Sequence, residues 1–298
     1  MSPGYRALRE GAARLDLDAR GRFRVLGEDR VRLLHAMTTN HIEQLKPGES
    51  CYAFFLSTQG RILGDVNILC LEDCFLLDTE PALHDALFAH LDKYIIADDV
   101  VLEDARMDHT AIGVEGPSAP AALKNFSACK APFTTTGAEG ARLFVKREER
   151  DGVIAQLREL GVVEAAAEDQ EIVRLEHFRP RYGADITEKN LVHETQMLNA
   201  IHFSKGCYIG QEIVERVRSR GQVHRLLVPL YLDSAEPPSK GTAVTSAGVA
   251  AGEITSAAFS PALGKCVAFA YLKGEHAKPE TAITVGESQG IVAAAKGA

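Results

Sequence analysis

The sequence predicts an α+β protein with a separate all-β unit at its C-terminal end. Three observations carry this. The 298 residues exceed what one hydrophobic core usually organises, so two or three packed units are expected. Strand and helix patterns mix without strict βαβ alternation up to about residue 220, which favours α+β over a parallel doubly wound sheet. After Gly221 the pattern becomes a series of short β-rich runs parted by Pro, Gly and Ser clusters, the mark of a small antiparallel barrel or sandwich.

Arg22 to Leu26 reads as a strand, followed by a helix with Val31, Leu34 and Met37 at helical spacing. Tyr52–Ser57 and Ile62–Cys70 read as strands joined by a turn at Thr58-Gln59-Gly60-Arg61, and Phe75–Asp78 adds a third. Leu83, Leu87, Leu91 and Tyr94 share one face of an amphipathic helix. A second unit begins with a strand at Thr110–Val114 running into Gly116-Pro117 and a short helix from Pro120 to Leu123. Gly113-x-x-Gly116 lacks the Gly-Lys-Ser/Thr of a phosphate loop, so it is a plain turn. Arg142–Lys146 reads as a strand, Asp151 caps a helix stopped by Gly161, and Glu168–Phe178 is another helix. The final unit carries runs at Leu226–Leu232, Thr242–Thr245, Gly252–Phe259, Cys266–Leu272, Ala282–Val285 and Gly290–Ala293. The expected units are 1–108, 109–222 and 223–298.

With 46% hydrophobic and 25% charged residues, the composition is that of an ordinary soluble globular protein. No stretch approaches the ~18 apolar residues of a bilayer span. Met1–Arg22 lacks the apolar centre of a signal peptide, so a cytoplasmic location with no membrane partner is expected. Thirty-three basic against 41 acidic residues give a net charge of −8, which disfavours a nucleic-acid coat. Six cysteines spread over a large chain read as reduced thiols, and Cys70 and Cys74, which flank a hairpin turn, read as packed ones. There is no C-x-x-C and no Cys/His cluster at zinc-ligand spacing, so no metal site is expected.

The densest chemical signal is Lys205-Gly206-Cys207-Tyr208-Ile209-Gly210-Gln211-Glu212. Gly206 and Gly210 allow positive φ or close backbone approach. Ile213, Val214 and Val217 form an apolar helical stripe, so Cys207 falls at or just before a helix N-terminus. There the macrodipole and Lys205 favour a thiolate. The residues alone leave two readings open, a reactive thiol and a structural cysteine beside a glycine turn. Arg216, Arg218, Arg220 and Arg225 follow as a basic cluster, by default a solvated helix end, with an anionic carboxylate tail of a ligand or an RNA phosphate as the functional alternative.

The run Gln196–Glu212 resembles the signature of the YgfZ family, folate-binding relatives of the glycine-cleavage T-protein that include iron–sulfur assembly factors. Weaker likeness lies in Leu34-His35-Ala36-Met37-Thr38-Thr39-Asn40, in Gln59–Val66, in Gly252-Glu253-Ile254-Thr255-Ser256 and in Ser260-Pro261. The resemblance implies an α+β, three-domain T-protein-like body around a central folate site, ending in an antiparallel β-barrel. It implies tetrahydrofolate, or a one-carbon derivative, as ligand, and iron–sulfur client or assembly proteins as partners. Effects on tRNA modification would pass through iron–sulfur enzymes, and direct RNA binding is not expected. Cys207, tuned by Lys205, is the implied reactive group.

Glu176 lies on an apolar helical stripe, where a carboxylate is costly unless paired. Periodicity favours a salt bridge to Arg179 or Arg181. In T-proteins a glutamate followed by Tyr-Gly-x-Asp holds the pterin, and Arg174-Leu175-Glu176 with Tyr182-Gly183-Ala184-Asp185 resembles that pattern. Asp65 alternates with Leu63 and Asn67 onto one strand face, opposite Gly64 and Val66. T-proteins carry an acidic pair here, and this chain keeps only Asp65. Asn40, Tyr208 and Gln211 complete the folate residues the resemblance implies. The alternative activity is that of a tetrahydrofolate-dependent aminomethyltransferase.

Overall fold

In the computed structural model, which describes residues 1–124, 126, 128–221 and 223–294, the chain opens with a helix that its sequence pattern does not announce. In α1 (Pro3–Glu10), Ser2 caps the N-terminus by accepting from the Tyr5 amide at 3.0 Å, and Pro3 occupies the first turn. After α1 come β1 (Ala13–Asp16), β2 (Gly21–Leu26), α2 (Arg30–Met37), β3 (Ser50–Leu56), β4 (Ile62–Cys70), β5 (Phe75–Thr79), α3 (His84–Asp92) and β6 (Val101–Asp104). The middle of the chain holds β7 (His109–Glu115), α4 (Ala119–Leu123), β8 (Cys129–Ala131), β9 (Gly140–Lys146), α5 (Arg150–Glu159), β10 (Val163–Glu164), α6 (Ala167–Glu176), α7 (Val192–Thr195) and α8 (Gln211–Arg220). It ends in β11 (Arg225–Leu232), β12 (Ala243–Ser246), β13 (Val249–Ser260), β14 (Lys265–Lys273), β15 (Ala282–Val285) and β16 (Ser288–Val292).

These strands form two five-stranded sheets and a barrel. One sheet has the order β3-β4-β5-β2-β6, all antiparallel. Its strand β4 alternates as the sequence requires: Ile62, Gly64, Val66 and Ile68 are buried, while Leu63, Asp65 and Asn67 point to the other face. The buried face packs on α2 and α3, where Leu34, Met37, Leu87 and Leu91 meet Phe23, Val25, Phe55 and Leu77. The second sheet runs β10-β1-β7-β9-β8, antiparallel except for the short β1–β10 pair. The last unit is a closed antiparallel barrel, β11-β14-β13-β12-β15-β16, so it has no exposed edge.

The structure departs from expectation in several places, and the helix expected over Glu168–Phe178 runs from Ala167 to Glu176. Residues 13–16 belong to the second sheet, pairing with β7 and β10, so the first and second units interleave rather than part at residue 108. Asp151 lies inside the first turn of α5; the cap position is Glu149, because a 3-10 turn over Arg147–Glu149 feeds the helix. The helix expected to reach Tyr94 stops at Asp92. Gln222 at the expected boundary, and residues 295–298 of the expected last unit, lie outside the described residues. Among the described residues no helix is long and apolar enough to cross a membrane. All six cysteines are unpaired thiols, with Cys70 and Cys74 buried.

Candidate functional site

Between the two five-stranded sheets lies a narrow cleft, capped by the segment after α6. Its floor carries Asp65 and Asn67 of β4 with Tyr52 of β3. Arg20, Glu80, Thr134, Thr135 and Arg142 form its walls, and Arg179 to Arg181 its rim. The enclosed space is about 40 Å³, room for a few waters. Four arginines face two carboxylates, so the cleft suits an anion.

Asp65 is the cleft's chemically unusual group. Its Oδ2 accepts from the Tyr52 hydroxyl at 2.8 Å, while its Oδ1 is buried without a hydrogen-bond partner among the described residues. Burial, and next the charge of Glu80, push its pKa up to about 6. Such a carboxyl exchanges its proton near neutrality, as general acids and bases do. The charge of Arg20 opposes the upward shift of Asp65 only in part, because Arg20 is shared by fully buried Asp78 and by Glu80, while Arg142 pairs with Asp78. Burial lowers the Arg142 pKa to about 10 although Asp78 opposes the shift.

The other expected folate residues lie elsewhere. Asn40 is indirectly tied to the cleft: its side-chain amide donates to the Tyr52 carbonyl at 2.9 Å and to the Asn199 carbonyl at 3.0 Å. Glu176 does not line the cleft. Its carboxylate accepts from Tyr5 at 2.6 Å, from Ser260 at 2.5 Å and from Arg9, so the ion pair expected with Arg179 or Arg181 is made with α1 instead. Asp185 does similar work, accepting from Arg174 and the Arg181 amide on one oxygen and from Thr255 and Ser256 on the other. These two carboxylates latch α6 and the following loop to the barrel strand β13. Tyr182 donates to the Leu63 carbonyl at 3.0 Å and so fixes that loop over β4.

The Lys205–Glu212 motif forms a second locus, beside the C-terminal end of α2. Lys205 is buried and donates to the carbonyls of His35 at 2.5 Å and Thr38 at 2.6 Å, where the helix leaves carbonyls without intrahelical partners. Desolvation lowers its pKa to about 8. The Tyr208 ring lies under the ammonium at 4.8 Å. Lys205, expected to tune Cys207, has its ammonium committed to the His35 and Thr38 carbonyls and the Tyr208 ring. Cys51 is pushed up to about 12 by burial. Cys207 is exposed, three residues before the Gly210 cap of α8, in keeping with a place just before that helix.

The two motif glycines differ. Gly210 caps α8 at φ +84°, and a Cβ there would lie 2.7 Å from the Ser57 carbonyl and 2.9 Å from Leu56. Gly206 would meet only His35 Nε2, at an ordinary 3.5 Å. Gln211 begins α8 with its amide on the Tyr208 carbonyl at 3.2 Å. The basic cluster is largely paired within the chain: Arg216 with Glu212, Arg218 with Glu215, and Arg225 with Glu194. Two imidazoles that spacing did not bring out join this locus: His41 packs on His35, and His202 packs on His41. Their sequence signal was slight: His202 falls inside the Gln196–Glu212 run, and His41 directly follows the Leu34–Asn40 run.

Two sheets clasping a charged cleft, latched to a closed six-stranded barrel, define a T-protein-like architecture. The aminomethyltransferase T of the glycine cleavage system from Bartonella henselae has the same fold. It matches 98% of this chain and 87% of its own with a TM-score of 0.89 at 19% identity. The GCVT N-terminal domain family matches residues 3–137, and the glycine cleavage T-protein C-terminal barrel domain matches residues 225–296. Among relatives, an aminomethyltransferase of Streptomyces coelicolor is 27% identical over 92% of this chain and 82% of its own length. One from Rubrobacter xylanophilus is 25% identical over 91% and 78%. The chain belongs to the glycine-cleavage T-protein superfamily.

Proposed function

We propose that this chain is a tetrahydrofolate-binding protein of the YgfZ type that assists assembly or repair of iron–sulfur proteins. The observation that carries the folate reading is Asp65, whose buried Oδ1 lacks a partner among the described residues on the floor of an arginine-lined cleft. A pterin presents adjacent N–H donors from its amino group and ring nitrogen, the complement of a carboxylate edge. Folate's glutamate tail is anionic and suits guanidinium groups. The donor chemistry therefore fits, although the present space, about 40 Å³, is smaller than a pterin. Entry requires Arg179 to leave its place over the Tyr52 ring and Arg181 to leave Glu171. Bound folate would supply a one-carbon carrier. Asp65 would orient the pterin and hold or release a proton, with Tyr52 fixing its rotamer. Asn40 would act by bracing Tyr52, and Glu176 by holding the barrel. Tyr208 and Gln211 would shape the motif locus rather than touch the pterin.

Calorimetric titration with tetrahydrofolate tests this. Wild type is expected to bind, and Asp65→Ala to bind about 10–100-fold more weakly, the worth of a hydrogen bond to a charged group. Equal affinity in both would remove Asp65 from the site. The iron–sulfur role rests on the resemblance of the Lys205–Glu212 motif and on the exposure of Cys207 beyond the cleft, within a partner's reach. In a strain lacking the protein, Cys207→Ser is expected to leave iron–sulfur enzyme activity low while folate binding persists. Full restoration by that variant would end the thiol's assigned part, and clients of the tRNA-modifying class would be the enzymes to assay.

One observation favours the second reading, a tetrahydrofolate-dependent aminomethyltransferase. A side chain at position 64 faces Leu83 and Leu87 in the core, so a second acid there could not serve the cleft, and Gly64 is no loss to it. The relatives' name supports the same reading. Ammonia release from an aminomethyl-loaded lipoyl carrier decides between them.

A further inference from the structure

Outside the cleft, the fold gathers a set of metal-ligating side chains that no function has absorbed. His35 closes α2, His41 follows in the next loop, and Glu43 lies two residues further on. One ligand atom from each lies within 4.8 Å of the others. His35 Nε2 is 3.9 Å from Glu43 Oε2. His41 packs edge-on to His35 with ring centroids 4.7 Å apart, and His202 packs edge-on to His41 at 4.9 Å. All three imidazoles have a buried Nδ1 with no hydrogen-bond partner among the described residues. Buried imidazoles used only for packing normally satisfy their ring nitrogens.

The backbone around them is tightly pinned. The Thr39 hydroxyl donates to the Ala200 carbonyl at 2.6 Å, the His202 amide donates to the Thr39 carbonyl at 3.0 Å, and Asn40 Oδ1 accepts from the His41 amide at 2.8 Å. These bonds tie the His35–Glu43 segment to the loop that carries His202, Gly206 and Cys207. Gly206 sits against His35 Nε2, so the thiol is borne by the residue next to one that touches the cluster.

We propose that His35, His41 and Glu43 bind a divalent first-row transition ion, with zinc as the reference metal, leaving a coordination position open beside the Cys207 loop. Two imidazoles and a carboxylate are the ligand set of open zinc and non-haem iron sites. Tetrahedral bonds of 2.0–2.2 Å place ligand atoms about 3.4 Å apart, so the cluster must contract slightly. Glu43 is exposed and can supply that movement. His202 is the nearest further imidazole, placed to orient His41. The Lys205 ammonium at this locus is already bound to two carbonyls, and its charge limits how tightly a dication is held. The site is independent of the folate reading, since none of its residues lines the cleft.

The test uses the full chain stripped of metal and titrated with zinc against a chromogenic chelator. Wild type, His41→Ala, Glu43→Gln and, as a control outside the cluster, His224→Ala are compared. One equivalent bound by wild type and by His224→Ala, with a loss of about tenfold or more in both cluster variants, is expected. Cobalt substitution should give visible ligand-field absorption in wild type that weakens in Glu43→Gln, an exposed change that leaves the fold intact by circular dichroism. Absent binding by folded wild type, or equal binding by all four proteins, would overturn the proposal.

Discussion

At the scale of single residues, Asp65 and Lys205 show how burial sets charge. Each is held where its ionised form is costly, and each keeps specific hydrogen-bond partners. For Asp65 the folded-state pKa, about 6, lies above the ordinary 3.8, so the native protein binds the proton more tightly than the unfolded chain. Its contribution is therefore fully favourable below about pH 4 and falls as pH rises towards 6. Asp65→Asn keeps an acceptor for Tyr52 and removes the charge. It is expected to be roughly 1–2 kcal/mol more stable than wild type above pH 6, after allowing for partial solvent access, with the gap vanishing near pH 4. Denaturant melts across that range check it; parallel curves for the two proteins would mean Asp65 is not the titrating group.

At the scale of elements, the α8 start shows why a glycine motif cannot be read as uniform. The hairpin tip at Gly60 packs on Ile213, and the α8 cap at Gly210 packs on the end of β3, so strand and helix meet backbone to side chain. Gly210→Ala combines a left-handed φ with contacts below 3.0 Å and is expected to cost about 1–3 kcal/mol or more. Gly206→Ala, with neither problem, is expected to change stability by no more than about 0.5 kcal/mol. Equal losses in equilibrium unfolding would show that the α8 cap is not where the constraint lies. The same element shows the pairing of Arg216 and Arg218 with acids on their own helix, which takes those two arginines out of any open basic surface.

At the scale of the whole molecule, the barrel is held to the body by buried carboxylates. Asp185 is fully buried and shared by Arg174 of α6 and by Thr255 and Ser256 of β13. Removing it leaves the buried Arg174 guanidinium with Glu171 as its remaining acidic partner. Asp185→Ala is expected to cost about 3–5 kcal/mol and to split a single unfolding transition into two, barrel and body. A variant that still unfolds in one step with unchanged midpoint would show that apolar contacts alone dock the barrel.

Much of this was legible in the chain. Period-two patterning placed Asp65 on the face of β4 opposite the core, and the β-rich runs after Gly221 placed the six barrel strands to within a few residues, because both signals are local. The turn at Gly60 and the start of α8 were readable for the same reason. What only the tertiary structure decided depends on groups far apart in sequence. β1, β6, β8 and β10 are two to four residues long and are strands only because distant partners complete their hydrogen bonds. Glu176 found Arg9 and Ser260 instead of its helix neighbours, since burial rewards whichever donors the packed α1 and barrel bring within reach. The imidazoles of His35, His41 and His202 come together because the motif loop folds against the end of α2, through a His41–His202 contact that spans 161 positions and that no spacing rule could anticipate.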